Sequence, residues 1–359
     1  MAAHERVIAI NPGNMTTKIA VYEGDDRVLD ASIPHTREEL SRFDSIPAQL
    51  DHRRVAVEKA LADRGQLAKP FDAVVGRGGL LRAIPSGTYL VDEKLLEDAR
   101  KGYAGQHASN LGALLADALA RMHGGRAFVV DPVCVDEFEP LARYSGHADI
   151  ERKSLGHALN LRATAKKAAR RLGKTLDDAN LVVAHLGSGI SIAPLRRGRM
   201  VDVNNAYSSG PFSPERTGGL PVTEMLDFMI SKGIDQNGMK RIVSREGGLI
   251  SYLGTNDFTE VTRRIGSGDA KAREIVEAMA YQIAKEIGAM ATVLSGKVDA
   301  IVLTGALAHS SLVVDLVRDR VSFIADVMVF PGENELESLA AGALEVLRGE
   351  EKPRTYPRG

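Results

Sequence analysis

The sequence predicts an α/β protein of two similar lobes with mixed sheets, and three observations predict it. Apolar strand patterns alternate with helical ones along the whole chain. A unit of strand, glycine turn, strand, short hairpin and strand occurs twice, each copy followed by helices. No linker rich in Pro or Ser divides the copies, so the lobes are expected to pack closely and to leave a cleft for a ligand.

The first copy opens with an apolar run at 7–10, broken by Asn11-Pro12-Gly13. A β-rich pattern resumes at 17–22, Gly24-Asp25-Asp26 signals a hairpin, and 28–33 closes the unit. Helical spacing follows at 55–67, then a short buried strand at 71–75 ending in Gly76-Arg77-Gly78-Gly79. Helices are predicted at 93–103 and 108–122, and a buried strand at 127–130 ends at Asp131-Pro132. A basic helix at 158–172 leads into the second copy. There an apolar run at 181–184 is broken by His185-Leu186-Gly187-Ser188-Gly189, strand pattern resumes at 190–195, Arg197-Gly198-Arg199 turns, and 200–203 closes. With the turns superposed, Asn11 falls on His185 and Gly13 on Gly187. A long helix at 270–294, a strand at 300–303 ending in Thr304-Gly305-Ala306, a strand at 327–330 and a helix at 335–347 complete the chain. The expected division is 1–155 plus the C-terminal helix at about 340–359 for one lobe, and 156–339 for the other.

Composition narrows the function classes. The chain has 359 residues, 44% of them hydrophobic, enough for about two domains. Lys+Arg number 46 and Asp+Glu 47, so the net charge of −1 offers no electrostatic case for nucleic acid or a membrane surface. A single cysteine, Cys134, rules out an internal disulfide and fits a reducing cytoplasm. No signal-peptide layout opens the chain, and no apolar run approaches the roughly 20 residues of a membrane span. A soluble cytoplasmic protein is expected.

Gly13, the turn 187–189 and Gly305 each end an apolar strand, where a glycine lets backbone amides approach phosphate oxygens. Singly, each also suits an ordinary hairpin. Gly173-Lys174-Thr175 mimics the end of a phosphate-binding loop, but it follows a helix and reads as a helix C-terminus. No Gly-x-Gly-x-x-Gly opens a helix after a strand, and no zinc-spaced Cys/His set occurs. Phosphoryl transfer needs positive charge around an anionic group and a divalent metal. Lys18, Arg77, His107, Asp131, His185 and Arg216 all sit at strand ends or in glycine-rich loops and suit that chemistry. Each has a second reading. Lys18 is equally a solvated strand residue, Asp131 and His107 are equally caps, and Arg77 and Arg216 equally tie loops to carboxylates.

Asn11-Pro12-Gly13, Thr16-Thr17-Lys18, Gly76-Arg77-Gly78-Gly79-Leu80-Leu81 and His107-Ala108-Ser109-Asn110-Leu111-Gly112 together resemble the butyrate kinases. So do Val130-Asp131-Pro132, Arg152-Lys153-Ser154, His157-Ala158-Leu159-Asn160, Ala184-His185-Leu186-Gly187, Gly210-Pro211-Phe212-Ser213-Pro214-Glu215-Arg216, Tyr252-Leu253-Gly254-Thr255-Asn256-Asp257 and Leu303-Thr304-Gly305. The likeness runs in order along essentially the whole chain. It implies an actin-like ATPase (ribonuclease H-like) architecture, in which two duplicated lobes with sheets of the five-stranded type are flanked by helices. It also implies ATP and Mg²⁺, a small carboxylate substrate and a homodimer or higher homo-oligomer. The implied activity is phosphorylation of butyrate or a similar short or branched acid. The alternatives are an acetate or propionate kinase, or a catalytically weakened nucleotide-binding module.

The resemblance places roles on residues. Asn11 and Lys18 match the first phosphate loop, with Gly13, Thr16 and Thr17, near the metal and the γ-phosphate. His185 matches a histidine that steadies the transferring phosphoryl, in a second loop formed by Gly187, Ser188 and Gly189. Arg216 matches an arginine that neutralises transition-state charge. Asp131 matches a carboxylate that orients the metal or its water, and His107 a histidine near the acyl phosphate. Arg77 is the candidate for gripping the substrate carboxylate. Glu335 is the candidate metal contact beside Asn11, with Glu333 its rival, and Thr304-Gly305-Ala306 matches the turn against adenosine. A carboxylate is already an anion at neutral pH and needs no general base, so the catalytic burden is alignment and charge neutralisation. Met15, Ser188 and Ala306 depart from the family's serine- and glycine-rich loops and bear on nucleotide affinity rather than reaction class.

Overall fold

The computed structural model describes residues 4–357, in two compact units. The first runs to Asp136 and resumes at Asn334, and the second is Glu137–Glu333.

The first unit is built on six strands: β1 (Arg6–Pro12), β2 (Thr16–Glu23), β3 (Asp26–Pro34), β4 (Ala73–Arg77), β5 (Thr88–Leu90) and β6 (Arg126–Val130), in the order β3-β2-β1-β4-β6-β5. β1, β4 and β6 run parallel, while β2, β3 and β5 run antiparallel to their neighbours. The parallel strands are apolar without alternation because they are covered on both faces. Val7, Ile8, Ala9 and Ile10 are all fully buried, as are Ala73, Val74 and Val75. The helices Leu111–His123 and Glu335–Leu347 pack on β1, β4 and β6. Ile8, Val74, Leu111 and Leu115 share one core with Val57 and Leu61 of the helix Leu50–Ala62.

The second unit repeats the plan with β7 (Asn180–Leu186), β8 (Ile190–Arg196), β9 (Arg199–Met200), β10 (Ala300–Gly305) and β11 (Val327–Pro331), in the order β11-β10-β7-β8-β9. Strand for strand this is the order β6-β4-β1-β2-β3, with the same parallel and antiparallel pairings. The registers agree as well. Asn11 pairs with Lys18 one step before the turn closes at Pro12 and Thr17, and His185 pairs with Ser191 one step before it closes at Leu186 and Ile190. Asn11 and His185 therefore hold equivalent places in the two copies. The core of this unit joins Val182, Ala184 and Ile192 to Ile275, Met279, Ile283 and Ile287 of the helix Ala270–Val293. No helix among the described residues is long and apolar enough to cross a membrane.

The first sheet has a sixth strand where five were expected. β5 is three residues long, and its outer neighbour is the C-terminal tail: Leu90 donates to the Arg354 carbonyl (3.0 Å) and Arg354 to that of Thr88 (2.8 Å). The division between units also lies elsewhere than at 155/156 and 339/340. Glu137 Oε2 accepts from the Met200 amide (2.8 Å), Glu139 N donates to Val201 O (3.0 Å), and Arg152 pairs with Asp202 (2.8 Å), so the segment after Asp136 folds with the second unit. The whole helix Glu335–Leu347 packs with the first. The predicted helix at 55–67 starts at Leu50, led in by the 3₁₀ turn Pro47–Gln49. Four helices that spacing did not reveal follow the loop containing Arg216: Val222–Lys232, Gln236–Arg245, Gly248–Leu253 and Phe258–Gly266.

The C-terminal tail is anchored by a buried polar group. Asp98 Oδ2 accepts from Arg82 Nε (2.6 Å) and from the Tyr356 hydroxyl (3.1 Å), and Lys94 Nζ lies 3.3 Å from Oδ1. Burial alone would push the Asp98 carboxyl up, but the bonds from Arg82, Lys94 and Tyr356 outweigh it and hold the group below the usual range. A carboxyl lowered on folding stabilises above its unfolded pKa of about 3.9, and that contribution is lost as pH falls through the folded value. Asp98→Asn should therefore destabilise the protein at pH 7 by roughly 3 kcal/mol. In urea unfolding at several pH values, the gap from the parent should narrow below about pH 4. A gap independent of pH would contradict the assignment.

Candidate active site

In the first unit the polar groups gather where the parallel strands end. Asn11 is the penultimate residue of β1, Arg77 closes β4, and Glu335 opens the helix Glu335–Leu347. Glu335 joins them, pairing through one carboxylate oxygen with the Arg77 guanidinium and accepting from the Asn11 amide through the other. Arg77 is buried, and its Nε has no hydrogen-bond partner among the described residues. Lys18 is exposed, directly opposite Asn11 in register. His107 Nδ1 accepts from the Ser109 amide (3.2 Å) and lies 2.8 Å from its hydroxyl, so the ring does cap the short turn Ala108–Asn110. Crowding by surrounding protein, and then the charge of Arg77, lowers the His107 pKa, so the ring is neutral at pH 7.

Glycines make this arrangement possible. A Cβ on Gly76 would lie 2.0 Å from the Gly112 carbonyl oxygen, and one on Gly112 the same distance from that of Arg77. The helix Leu111–His123 thus rides directly on the end of β4 and fixes the arginine. Asn110 holds the next loop, accepting from the Leu80 amide (2.8 Å) and donating to Gly105 O (2.9 Å). Asp131 follows β6 in the left-handed region (φ 37°), an uncommon conformation for a residue other than glycine. Its Oδ1 accepts from Gly87 N (2.6 Å) while its own amide donates to Gly87 O (3.1 Å).

In the second unit His185 is buried, one residue before the end of β7. Asn160 donates through Nδ2 to the Glu333 carbonyl (2.8 Å), which leaves its Oδ1 to accept from His185 Nδ1 (2.8 Å). The ring is therefore fixed with its proton on Nδ1. His157 stacks on it with centroids 4.0 Å apart, held in turn by Ser191 Oγ (2.8 Å). The Glu333 carboxylate lies 3.8 Å from His185 Nε2, so the two glutamates separate: Glu335 belongs with Asn11 and Arg77, and Glu333 with His185.

The turn 187–189 is tight. A Cβ on Gly187 would meet His185 Nε2 at 2.8 Å, and one on Gly189 would meet Arg216 Nη1 at 2.3 Å. Arg216 is thus seated on Gly189. Its Nη1 donates to Ala206 O (3.0 Å), the guanidinium lies 4.4 Å over the Tyr207 ring, and Nε is buried with no hydrogen-bond partner among the described residues. Ser213 ties the two loops together, donating to Ser188 O and accepting from Arg216 N. Thr304 pairs with His185 in register, and its hydroxyl donates to Gly332 O (3.1 Å). Gly305 has φ +90°, and a Cβ there would lie 2.4 Å from Leu186 O. Ser188 and Ala306 are exposed and Met15 is 44% exposed, so none of the three family departures fills its turn.

Two groups of predicted residues thus form, one in each unit. Thr17 is turned away from the first, its hydroxyl engaged with His35 Nε2 (2.8 Å) and Arg53 Nη1 (3.1 Å). Sequence reasoning missed Asn160 and Arg53. The signal for Arg53 was present: it shares the buried stripe of its helix with Val57 and Leu61, where an arginine is out of place. The arrangement suits bound anions, because unfilled buried N–H donors on two arginines are expensive unless a ligand meets them.

The profile of the acetokinase family matches residues 150–338. A protein of Caldanaerobacter subterraneus subsp. tengcongensis described as probable butyrate kinase 2 is 46% identical over 351 residues, 98% of this chain and 99% of that protein. Among solved structures, the acetate kinase of Porphyromonas gingivalis superposes with a TM-score of 0.78 at 17% identity, covering 96% of this chain and all of that one. The propionate kinase of Francisella tularensis subsp. tularensis gives 0.72 at 16% identity, covering 93% and 98%. These two likenesses establish the fold.

The contact between Gly112 and β4 yields a direct test. Gly112→Ala must move the helix Leu111–His123 off the Arg77 carbonyl and should cost about 3 kcal/mol. Thermal unfolding with a melting temperature equal to the parent's would show that the close approach is dispensable.

Proposed function

The chain belongs to the acetokinase family and is a carboxylate-phosphorylating kinase; on that premise we propose that its acid is butyrate or a similar short or branched-chain fatty acid. ATP and the acid give ADP and an acyl phosphate, reversibly. The butyrate assignment is supported by the 46% identity over nearly the full length of both proteins. The observation that carries the chemistry is the Arg216 guanidinium, seated on Gly189 of the turn that follows His185, with its buried Nε unfilled among the described residues.

In this reaction a carboxylate oxygen forms a bond to the γ-phosphorus while the bond from that phosphorus to the β,γ-bridging oxygen breaks, its electron pair leaving with ADP. No proton moves, so none of these residues is needed as a base. Arg77 grips the acid, its charge held in place by Glu335 and its Nε available to a carboxylate oxygen. His107, neutral, lies near the acyl phosphate. The turn at 187–189 receives phosphate oxygens through its amides, and Thr304, Gly305 and Ala306 line the adenosine. Arg216 and His185 meet the charge on the transferring group. Because Asn160 holds the Nδ1 proton of His185, Nε2 donates to a phosphoryl oxygen only from the doubly protonated ring.

Asn11 and Glu335 suit magnesium. They offer hard oxygen donors, and no cluster of three His, Cys, Asp or Glu side chains among the described residues forms a complete cage. That set fits an ion that takes its remaining ligands from phosphates and water. When bound, it would neutralise phosphate charge, with Asp131 orienting its water and Lys18 beside it. Gly13, Thr16 and Thr17 shape the first loop. A homodimer is supported by the helix Val222–Lys232, where Val222, Leu226 and Ile230 are all exposed. A cytoplasmic location is supported by the lone Cys134, an unpaired thiol pushed up to about 12 by burial.

Arg216→Ala should leave the circular dichroism spectrum unchanged. It should lower turnover of ATP and butyrate at least ~10²-fold, read as acyl phosphate trapped with hydroxylamine. Near-parental turnover would sink the role given to Arg216.

A further inference from the structure

We infer that Arg53 is a positioning residue that turns the amide edge of the first loop, residues 13–17, towards a terminal phosphoryl group. This rests on the proposed function, which makes that loop a phosphate site.

Arg53 is 1% exposed, on the inner stripe of the helix Leu50–Ala62. Among the described residues it has no carboxylate partner. Its guanidinium is instead filled by the loop and by one glutamine. Nη1 donates to Gly13 O (2.9 Å), Thr16 O (3.3 Å) and Thr17 Oγ1 (3.1 Å). Nη2 donates to Asn14 O (3.0 Å) and Gln49 Oε1 (3.0 Å), and Nε to the same Gln49 oxygen (3.1 Å). The remaining loop carbonyl, that of Met15, accepts from His35 N (2.9 Å). Every carbonyl of residues 13–16 is therefore engaged.

A trans peptide unit is planar, with its N–H opposed to its C=O. Drawing the carbonyls of Gly13 and Asn14 towards Arg53 turns the N–H groups of Asn14 and Met15 the other way, while the Thr16 carbonyl also accepts from Gly13 N (2.7 Å) and Thr17 stays paired with Ile33 of β3. The loop then offers donors to an anion while a buried positive charge, not cancelled by any carboxylate, stands behind it. A strut serving the fold alone would be met at lower desolvation cost by an apolar side chain. An arginine reaching three carbonyls at once also exploits a fork that lysine lacks.

The test is calorimetric titration of the full chain with ATP and with ADP, each with Mg²⁺, for the parent, Arg53→Lys and Gln49→Ala. Arg53→Lys keeps the charge and loses the fork. It should weaken ATP roughly 10-fold while changing ADP less than about 2-fold. Gln49→Ala loosens the guanidinium without removing it and should weaken ATP about 3-fold. Circular dichroism confirms folding, and if Arg53→Lys does not fold, Gln49→Ala carries the test. An ATP-to-ADP affinity ratio equal to the parent's in every folded variant overturns the inference. A parent chain that binds neither nucleotide overturns the proposed function instead.

Discussion

The structure depends on three parallel strands in each sheet, β1, β4 and β6 in the first and β7, β10 and β11 in the second. β1, β4, β7 and β10 are buried and apolar over most of their length and carry polar residues at or near their ends, as β6 does in Asp131 just beyond it. Open parallel sheets place ligands at their carboxyl ends for this reason, since the body of each strand is covered and only the end meets solvent. Asn11, Arg77 and Asp131 follow from that constraint in the first unit, as do His185 and Thr304 in the second. The glycines at 76, 112 and 305 are consequences of the same crowding, because each lies where a backbone carbonyl leaves no room for a Cβ.

The electrostatics divides between pairing and availability. Arg77 is paired with Glu335, which holds the guanidinium in one place, yet its Nε remains to meet a ligand. Arg216 has no carboxylate pair among the described residues; it is held by a carbonyl and an aromatic ring, and burial lowers its pKa. Both cations are oriented without being saturated. That is the state required of groups that must meet charge appearing on a transferring phosphoryl, because no reorganisation is then needed at the moment of reaction.

Much of this was legible in the sequence because the signals were local. Apolar runs marked ten of the eleven strands among the described residues, with offsets of a few residues at the ends, and the matched turns placed Asn11 on His185, which the registers reproduce. What was not legible depends on partners distant in sequence. β5 is a strand because β6, about 40 residues further on, pairs with it and residue 354 lies on its other side, and the segment after Asp136 joins the second unit through Val201 and Asp202. Thr17 looked like a loop ligand, but Arg53, 36 residues away, engages its hydroxyl. Asn160 sits in an ordinary helical pattern, and its hold on His185 appears only when β7 is in place.

The central claim is that a carboxylate oxygen takes the γ-phosphoryl group of ATP. Phosphorus-31 NMR of the protein with ATP, Mg²⁺ and linear or branched acids of two to six carbons tests it most directly. The account predicts an acyl phosphate resonance that grows in step with ADP, requires the acid, and grows fastest with butyrate or a branched acid of similar size. Inorganic phosphate as the only new product, or no loss of ATP with any acid, would contradict it.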